Sequence, residues 1–331
     1  MKVLIIGGTG TISSAVVREA ITKGHEVTIL NRGRSEKPLP EEVEVLHGDI
    51  NHHESIEALF LGRTYDVICQ FIAFTPDHIE RDMKLFGHMN AQYIFISSAS
   101  AYQKPLRYYK ITESTPLDNR YWDYSQNKQH AEEKLAHEAA KHNLKYTIVR
   151  PSHTYGIDRI PVGIYGTNGT YSVIRRIKEG RPVVLHGDGE SLWTFTFNED
   201  FAKGFVGLFG HPQALGEAVH ITSDESLTWN TAYHIIGQAV GREPKIIHVA
   251  SDQLIQLRPD LRGPLLGDKA VSVVFDNSKI KRLVPSFVCD TRFDQGVRKA
   301  LDHIRENLSL QHEDPEFDAW CDQVAKDFTV H

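Results

Sequence analysis

Tyr124 and Lys128 stand four residues apart in Tyr124-Ser125-Gln126-Asn127-Lys128, a spacing that puts a phenol and an ammonium on one face of a helix. A cation beside a phenol favours the phenolate, so such a tyrosine can give or take the proton of an alcohol or carbonyl. Alone the pair is a weak signal, because both residue types are common. Upstream, Ser97-Ser98-Ala99-Ser100-Ala101-Tyr102 follows an apolar run that reads as a strand, and the strand ends of open parallel sheets are where ligands bind. A serine hydroxyl there can hold a reacting oxygen, or it can simply cap a turn.

A second group of residues suits a dinucleotide. Gly7-Gly8-Thr9-Gly10-Thr11-Ile12-Ser13 lies between a hydrophobic N-terminal run and a helical stretch. Backbone N-H groups and the positive end of a helix dipole can cradle a pyrophosphate there. Gly7 permits the tight turn and Gly10 the close approach of phosphate, while Ser13 takes the place of the usual third glycine. Where the second strand ends, Leu30-Asn31-Arg32-Gly33-Arg34 lacks the carboxylate that would accept from the 2′-hydroxyl of NAD. Arg32 and Arg34 could instead grip a 2′-phosphate, which makes NADP the expected cofactor and NAD the alternative. Solvated loop arginines are the plainer reading. Asp49, after the third strand, is placed to contact the adenine edge or to form a turn.

The elements that must position these groups follow from patterning. Apolar runs at Val3 to Ile6, Glu26 to Leu30, Val43 to Leu46, Val67 to Phe71, Tyr93 to Ser97 and Tyr146 to Arg150 alternate with amphipathic stretches such as Ser14 to Lys23 and Asn127 to His142. That alternation predicts an α/β fold, a doubly wound parallel sheet of Rossmann type with a smaller C-terminal substrate lobe. The expected nucleotide domain is 1–156, rejoined by about 190–223, with 157–189 and 224–331 mainly in the substrate lobe. A return strand is expected at Val219 to Thr222, and polar helices at Gly296 to Glu306 and Pro315 to Lys326. The 331 residues carry a net charge of -6, which speaks against nucleic acid as a partner. Three scattered cysteines suggest a reducing compartment, and no apolar run is long enough for a signal or a membrane span, so the expectation is cytoplasmic. Eighteen histidines are dispersed without ligand spacing, and no metal is expected.

Together these segments strongly resemble the extended short-chain dehydrogenase/reductases, the NAD(P)-dependent epimerase/dehydratase family. The matching pieces are Gly7 to Ser13, Asp49, Ser98 to Tyr102, Tyr124 to Lys128, Arg150-Pro151, Tyr155-Gly156, Gly187-Asp188-Gly189 and Asp276 to Lys279. The resemblance implies that Ser98, Tyr124 and Lys128 are catalytic, with Lys128 also binding the nicotinamide ribose and lowering the tyrosine pKa. It further implies cofactor contacts at Thr9, Thr11, Ile12, Asn31, Ile50, Ala73 and Pro151, and substrate contacts at Ser100, His153 and Trp193. Departures put the substrate in doubt. Ala99-Ser100 replaces the Asp-Glu pair of sugar-nucleotide dehydratases, Glu190 to Trp193 lacks the arginine that many relatives offer a substrate diphosphate, and His153 replaces an asparagine. A small-molecule substrate for an oxidoreductase or epimerase is implied, with Trp193 either stacking on a ring or filling the lobe's core. The resemblance is closest to an atypical branch that includes chloroplast stem-loop-binding proteins, which leaves a weakly catalytic or RNA-binding protein as the alternative. By analogy with relatives, a homodimer is one option.

Overall fold

The computed structural model describes residues 1–34 and 37–328. Seven strands form its main sheet: β1 (Lys2–Ile6), β2 (Glu26–Asn31), β3 (Glu44–His47), β4 (Val67–Gln70), β5 (Gln92–Ile96), β6 (Lys145–Pro151) and β7 (Glu217–Ile221). They lie in the order β7-β6-β5-β4-β1-β2-β3, and each pair is parallel. A parallel sheet covered on both faces demands strands that are apolar throughout, and Val3, Leu4, Ile5 and Ile6 are all fully buried. The period of two then divides them: Val3 and Ile5 join one core with Val16 and Phe205, while Leu4 and Ile6 join the other with Ile79 and Leu135.

Three helices matter for the site. Helix α1 (Thr11–Thr22) packs with the helix Asn198–Val206 on the first face. Helix α2 (Pro76–Phe86) packs with α3 (Asp123–His142) on the other. Both α1 and α3 begin earlier than the sequence pattern predicts, because neither opens on a side chain that caps it: Gly10 and Trp122 occupy the cap positions. The end of α3 is better marked, by Asn143 in the left-handed region at φ 52°.

Chain order reverses between β1 and β4, since the strands after β1 build outward through β2 and β3 and the later ones build the opposite way. A crevice opens at such a switch point, outside the carboxyl ends of the strands. A third core gathers Trp193, Phe195, Trp229 and Phe293 with residues of the C-terminal segments. Trp193 is 1% exposed, which favours the core over the stacking reading of its sequence. Among the described residues, no helix is long and apolar enough to cross a membrane.

Candidate active site

The loop between β1 and α1 is shaped by two glycines that no other residue could replace without strain. Gly7 has φ 114° and Gly8 φ 80°, and a Cβ on Gly8 would lie 3.0 Å from the Ile29 side chain. Gly8 is thus as constrained as Gly7, although the fingerprint spacing assigns it no role. Ser13, 3% exposed, accepts the Gly10 N-H at 2.9 Å through its hydroxyl. Serine in place of the third glycine therefore ties the turn to the helix as well as packing closely. No acidic residue occupies the first turn of α1, so its dipole faces the crevice uncancelled.

A pocket of about 480 Å³ opens here, lined by Gly7, Thr9, Asn31, Arg32, Arg34, Asp49 and Ile50 together with Ile72, Phe74 and His78. Its composition fits the dinucleotide that the sequence implies: a glycine cradle at one side and two guanidinium groups where the adenosine ribose would end. Arg32 Nη1 stands 3.9 Å from Asp49 Oδ2, and the Asp49 carboxyl is held below its usual range, chiefly by the Asn51 backbone N-H. Gly10, the cap of α1, and Thr11 and Ile12 in its first turn are not in this lining. The Thr11 carbonyl accepts from Asn198 at 2.7 Å, and Ile12 packs on the sheet core.

The far wall is the loop after β4, fixed at three points. Ile72 N-H donates to the Gln70 side chain at 2.8 Å, Phe74 N-H to His78 Nδ1 at 3.0 Å, and the Ala73 carbonyl accepts from Lys128 Nζ at 2.7 Å. Lys128 gives a second hydrogen bond to the Ile96 carbonyl at 2.6 Å and lies 4.7 Å from the Phe74 ring centroid. It ties the loop after β4 to the end of β5.

Phe74 of the pocket lining has its ring centroid 6.4 Å from that of Tyr124, which lines a neighbouring cavity of about 280 Å³. Ser98, Ser100, Trp122, Tyr124, Pro151, His153, Trp193 and Asp268 line it. Ser98, Ser100 and Ser125 form a hydroxyl chain with oxygen separations of 2.9 and 2.8 Å. Of the residues expected at the reacting centre, Ser98, Ser100, Tyr124, His153 and Trp193 line this cavity, while Lys128 lies outside the lining, against the Tyr124 ring. Tyr121, one turn before Tyr124, lies before α3 starts, is 38% exposed and is not part of the lining.

The electrostatics differ from the sequence expectation. Burial pushes the Tyr124 phenol up, the nearby Ser98 hydroxyl offsets part of this, and the Asp268 charge adds to it. Lys128 Nζ is 5.9 Å from the Tyr124 ring centroid, and burial lowers its own pKa to about 7, against the pull of Glu132. In the chain by itself, then, the lysine does not turn the tyrosine into a phenolate, because desolvation acts on both groups and favours their neutral forms. Burial likewise brings His153 down to about 3.

Sequence reading missed Asp268, Trp122 and Phe74. Asp268 lies in a short π-helical turn, Leu265–Lys269, that no periodicity announces. The turn meets the strand-end serines because Asn119 Nδ2 donates to both the Ser100 and Gly267 carbonyls, each at 2.6 Å.

Comparison with known proteins agrees with this architecture. The model of the NAD dependent epimerase/dehydratase family matches residues 3–222. The chain belongs to that family. It is 26% identical over 264 residues to the chloroplast stem-loop binding protein of 41 kDa b from Arabidopsis thaliana, an alignment that covers 75% of this chain and 65% of that protein. It is 23% identical over 290 residues to the 2'-dehydrokanamycin reductase of Streptomyces kanamyceticus, covering 87% and 80%. An epimerase from Methanothermobacter thermautotrophicus shares the fold with a TM-score of 0.78 at 18% identity, over 94% of each chain. So does a UDP-glucose 4-epimerase from Bifidobacterium longum, determined with NAD+ and UDP, with a TM-score of 0.74 at 18% identity, over 94% of this chain and all of that one. At such identities the likeness establishes the family's doubly wound fold.

Proposed function

We propose that this chain is an NADP(H)-dependent oxidoreductase or epimerase acting at a carbonyl or alcohol carbon of a small, sugar-like molecule. The observation that supports the reading is adjacency: Phe74, which lines the glycine-rich pocket, and Tyr124, which lines the neighbouring cavity with Ser98, have ring centroids 6.4 Å apart, and Lys128 packs against both rings. Relatives named as epimerases and as a reductase make the same class of reaction the natural one.

In this reading Gly7, Thr9 and the start of α1 hold the pyrophosphate, and Asn31, Arg32 and Arg34 hold the adenosine 2′-phosphate. Asp49 and Ile50 flank the adenine, and Ala73, Lys128 and Pro151 border the nicotinamide end. A bound nicotinamide supplies or accepts the hydride at the substrate carbon. The chain's own residues do the rest. Ser98, backed by Ser100, orients the substrate oxygen. Tyr124 starts as a neutral phenol, because burial favours that form, and is ready to donate its proton to an oxygen that gains negative charge. Lys128, with its position fixed by two carbonyls, would offer its third N-H to ribose hydroxyls in the protonated form, which a pKa of about 7 leaves populated at neutral pH.

The stem-loop binding relative favours a second reading, in which the same fold holds RNA. The net charge of -6 argues against it.

Fluorescence titration with NADPH and NADH tests the cofactor assignment. NADPH is expected to bind more tightly, and Arg32→Ala to weaken NADPH roughly tenfold or more, a charged hydrogen bond being worth ~1.5–3 kcal/mol, while leaving NADH nearly unchanged. Equal NADPH affinity in the two proteins would make the arginine a bystander.

A further inference from the structure

The wall of the inner cavity is unbalanced in charge. Of its lining side chains, Asp268 is the one that carries a charge at neutral pH, since burial keeps both Tyr124 and His153 neutral, and neither lysine nor arginine lines it. The position of Asp268 is built in. Asn119 ties the neighbouring Gly267 carbonyl to Ser100, and Trp122 packs so closely on the turn that a Cβ at Gly267 would fall 2.9 Å from its side chain. Two lysines feel the Asp268 carboxylate, but neither enters the lining. Lys269 Nζ donates to the Gly163 carbonyl at 2.9 Å, and Lys104 Nζ is buried without a hydrogen-bond partner. From α3, Tyr124 is the titratable group that faces it. Among the described residues, no hydrogen bond or ion pair within 4.0 Å engages its side-chain oxygens, and the residue is part of the cavity lining.

We propose that Asp268 is the specificity-determining residue of this site and selects an amine-bearing sugar or cyclitol over nucleotide-linked and acidic sugars. The proposal rests on the reading of the cavity as the substrate site given above. An ammonium entering beside Tyr124 finds an unpaired carboxylate at hydrogen-bonding range of the cavity, and a charge-assisted contact of that kind is stronger in a desolvated site than in water. A diphosphate finds the reverse: a carboxylate in the wall and no lining cation to balance it. Glu190 to Trp193 contributes a buried indole, Trp193, to this wall rather than a guanidinium. The absence of an arginine after Gly187-Asp188-Gly189 and the presence of Asp268 thus push selectivity the same way. Burial raises the Asp268 pKa to about 6, so recognition weakens in mild acid while the ligand's ammonium stays charged.

The test uses the full chain, first titrated with NADPH and then presented, by ligand-observed NMR, with D-glucosamine, D-glucose, D-glucuronate and UDP-glucose. At pH 7 D-glucosamine is expected to bind roughly ten- to a hundredfold more tightly than D-glucose. That preference should vanish in Asp268→Asn and return in part in Asp268→Glu, with NADPH affinity kept and the melting temperature of Asp268→Asn not lowered. In the wild type it should fall about tenfold from pH 7 to pH 5 as the carboxylate is protonated. Preference for UDP-glucose or D-glucuronate, or D-glucosamine binding that is indifferent to Asp268→Asn, overturns the proposal. A failure of NADPH to bind would instead strike the cofactor reading, and the ranking of the four sugars on the free protein would still decide the role of Asp268.

Discussion

Tyr124 and Lys128 are placed by local geometry, one turn apart on α3, but their chemistry is set by burial. Both are driven toward neutrality, the phenol up and the ammonium down to about 7. The sign for stability follows. A lysine with a depressed folded pKa costs the fold its desolvation in full below that pKa, and the cost fades as pH rises from about 7 toward the unfolded value near 10.4. Lys128→Met is therefore expected to melt higher than the wild type at pH 6.5, with the gap closing by pH 10, and to bind NADPH more weakly. Calorimetry at the two pH values checks the first part; a lower melting temperature at both would mean that the hydrogen bonds to Ala73 and Ile96 outweigh desolvation. Asp268 has the opposite sign. Its raised pKa makes it a burden above pH 6 and neutral below the ordinary carboxylate range, so Asp268→Asn should gain stability at pH 8 and little at pH 4. Of the residues in this site, the glycines, Tyr124, Lys128 and the strand-end serines were legible in the sequence because each acts through neighbours a few positions away. Asp268 and Asn119 were not, since only tertiary packing brings them to Ser100.

Elements of the nucleotide domain were legible for a similar reason. A parallel strand buried on both faces leaves an unbroken apolar run, and all seven main-sheet strands match such runs to within a residue or two. Helix starts were harder to read, as Gly10 and Trp122 supply no side-chain cap. The turn Leu265–Lys269 left no periodic trace at all, yet it forms part of the inner cavity. Its attachment is testable. Asn119→Ala strands two buried carbonyls, Ser100 and Gly267, and is expected to cost about 2 kcal/mol, since each abandoned acceptor loses its partner. Denaturant unfolding reads that loss; a change within 0.5 kcal/mol, the usual range for surface substitutions, would mean that Asn119 is not the clamp. The glycine loop makes a second case. Gly8→Ala places a Cβ against Ile29 at φ 80° and should cost about 1–3 kcal/mol, with NADPH binding weakened because the cradle must shift.

At the scale of the whole molecule, two cores sandwich the sheet and a third, around Trp193, Trp229 and Phe293, contributes Trp193 to the inner cavity. Fold and family could be read from the order of strands, helices and fingerprint loop, while the substrate could not, because the wall of the inner cavity is assembled from segments far apart in the sequence. The overall charge of -6 bears on the RNA reading. A stem-loop RNA is expected not to be retained at 0.15 M salt, and binding whose affinity falls steeply with added salt would reverse that. The central claim, that this crevice performs nicotinamide-dependent proton and hydride chemistry with Tyr124 as proton donor, is met most directly by following the nicotinamide absorbance. The comparison sets wild type beside Tyr124→Phe and Tyr121→Phe across a panel of sugar and amino-sugar ketones. Tyr124→Phe is expected to keep its NADPH affinity while losing about 10²–10⁴ in rate, with Tyr121→Phe close to wild type. Full turnover in Tyr124→Phe beside a silent Tyr121→Phe would contradict it.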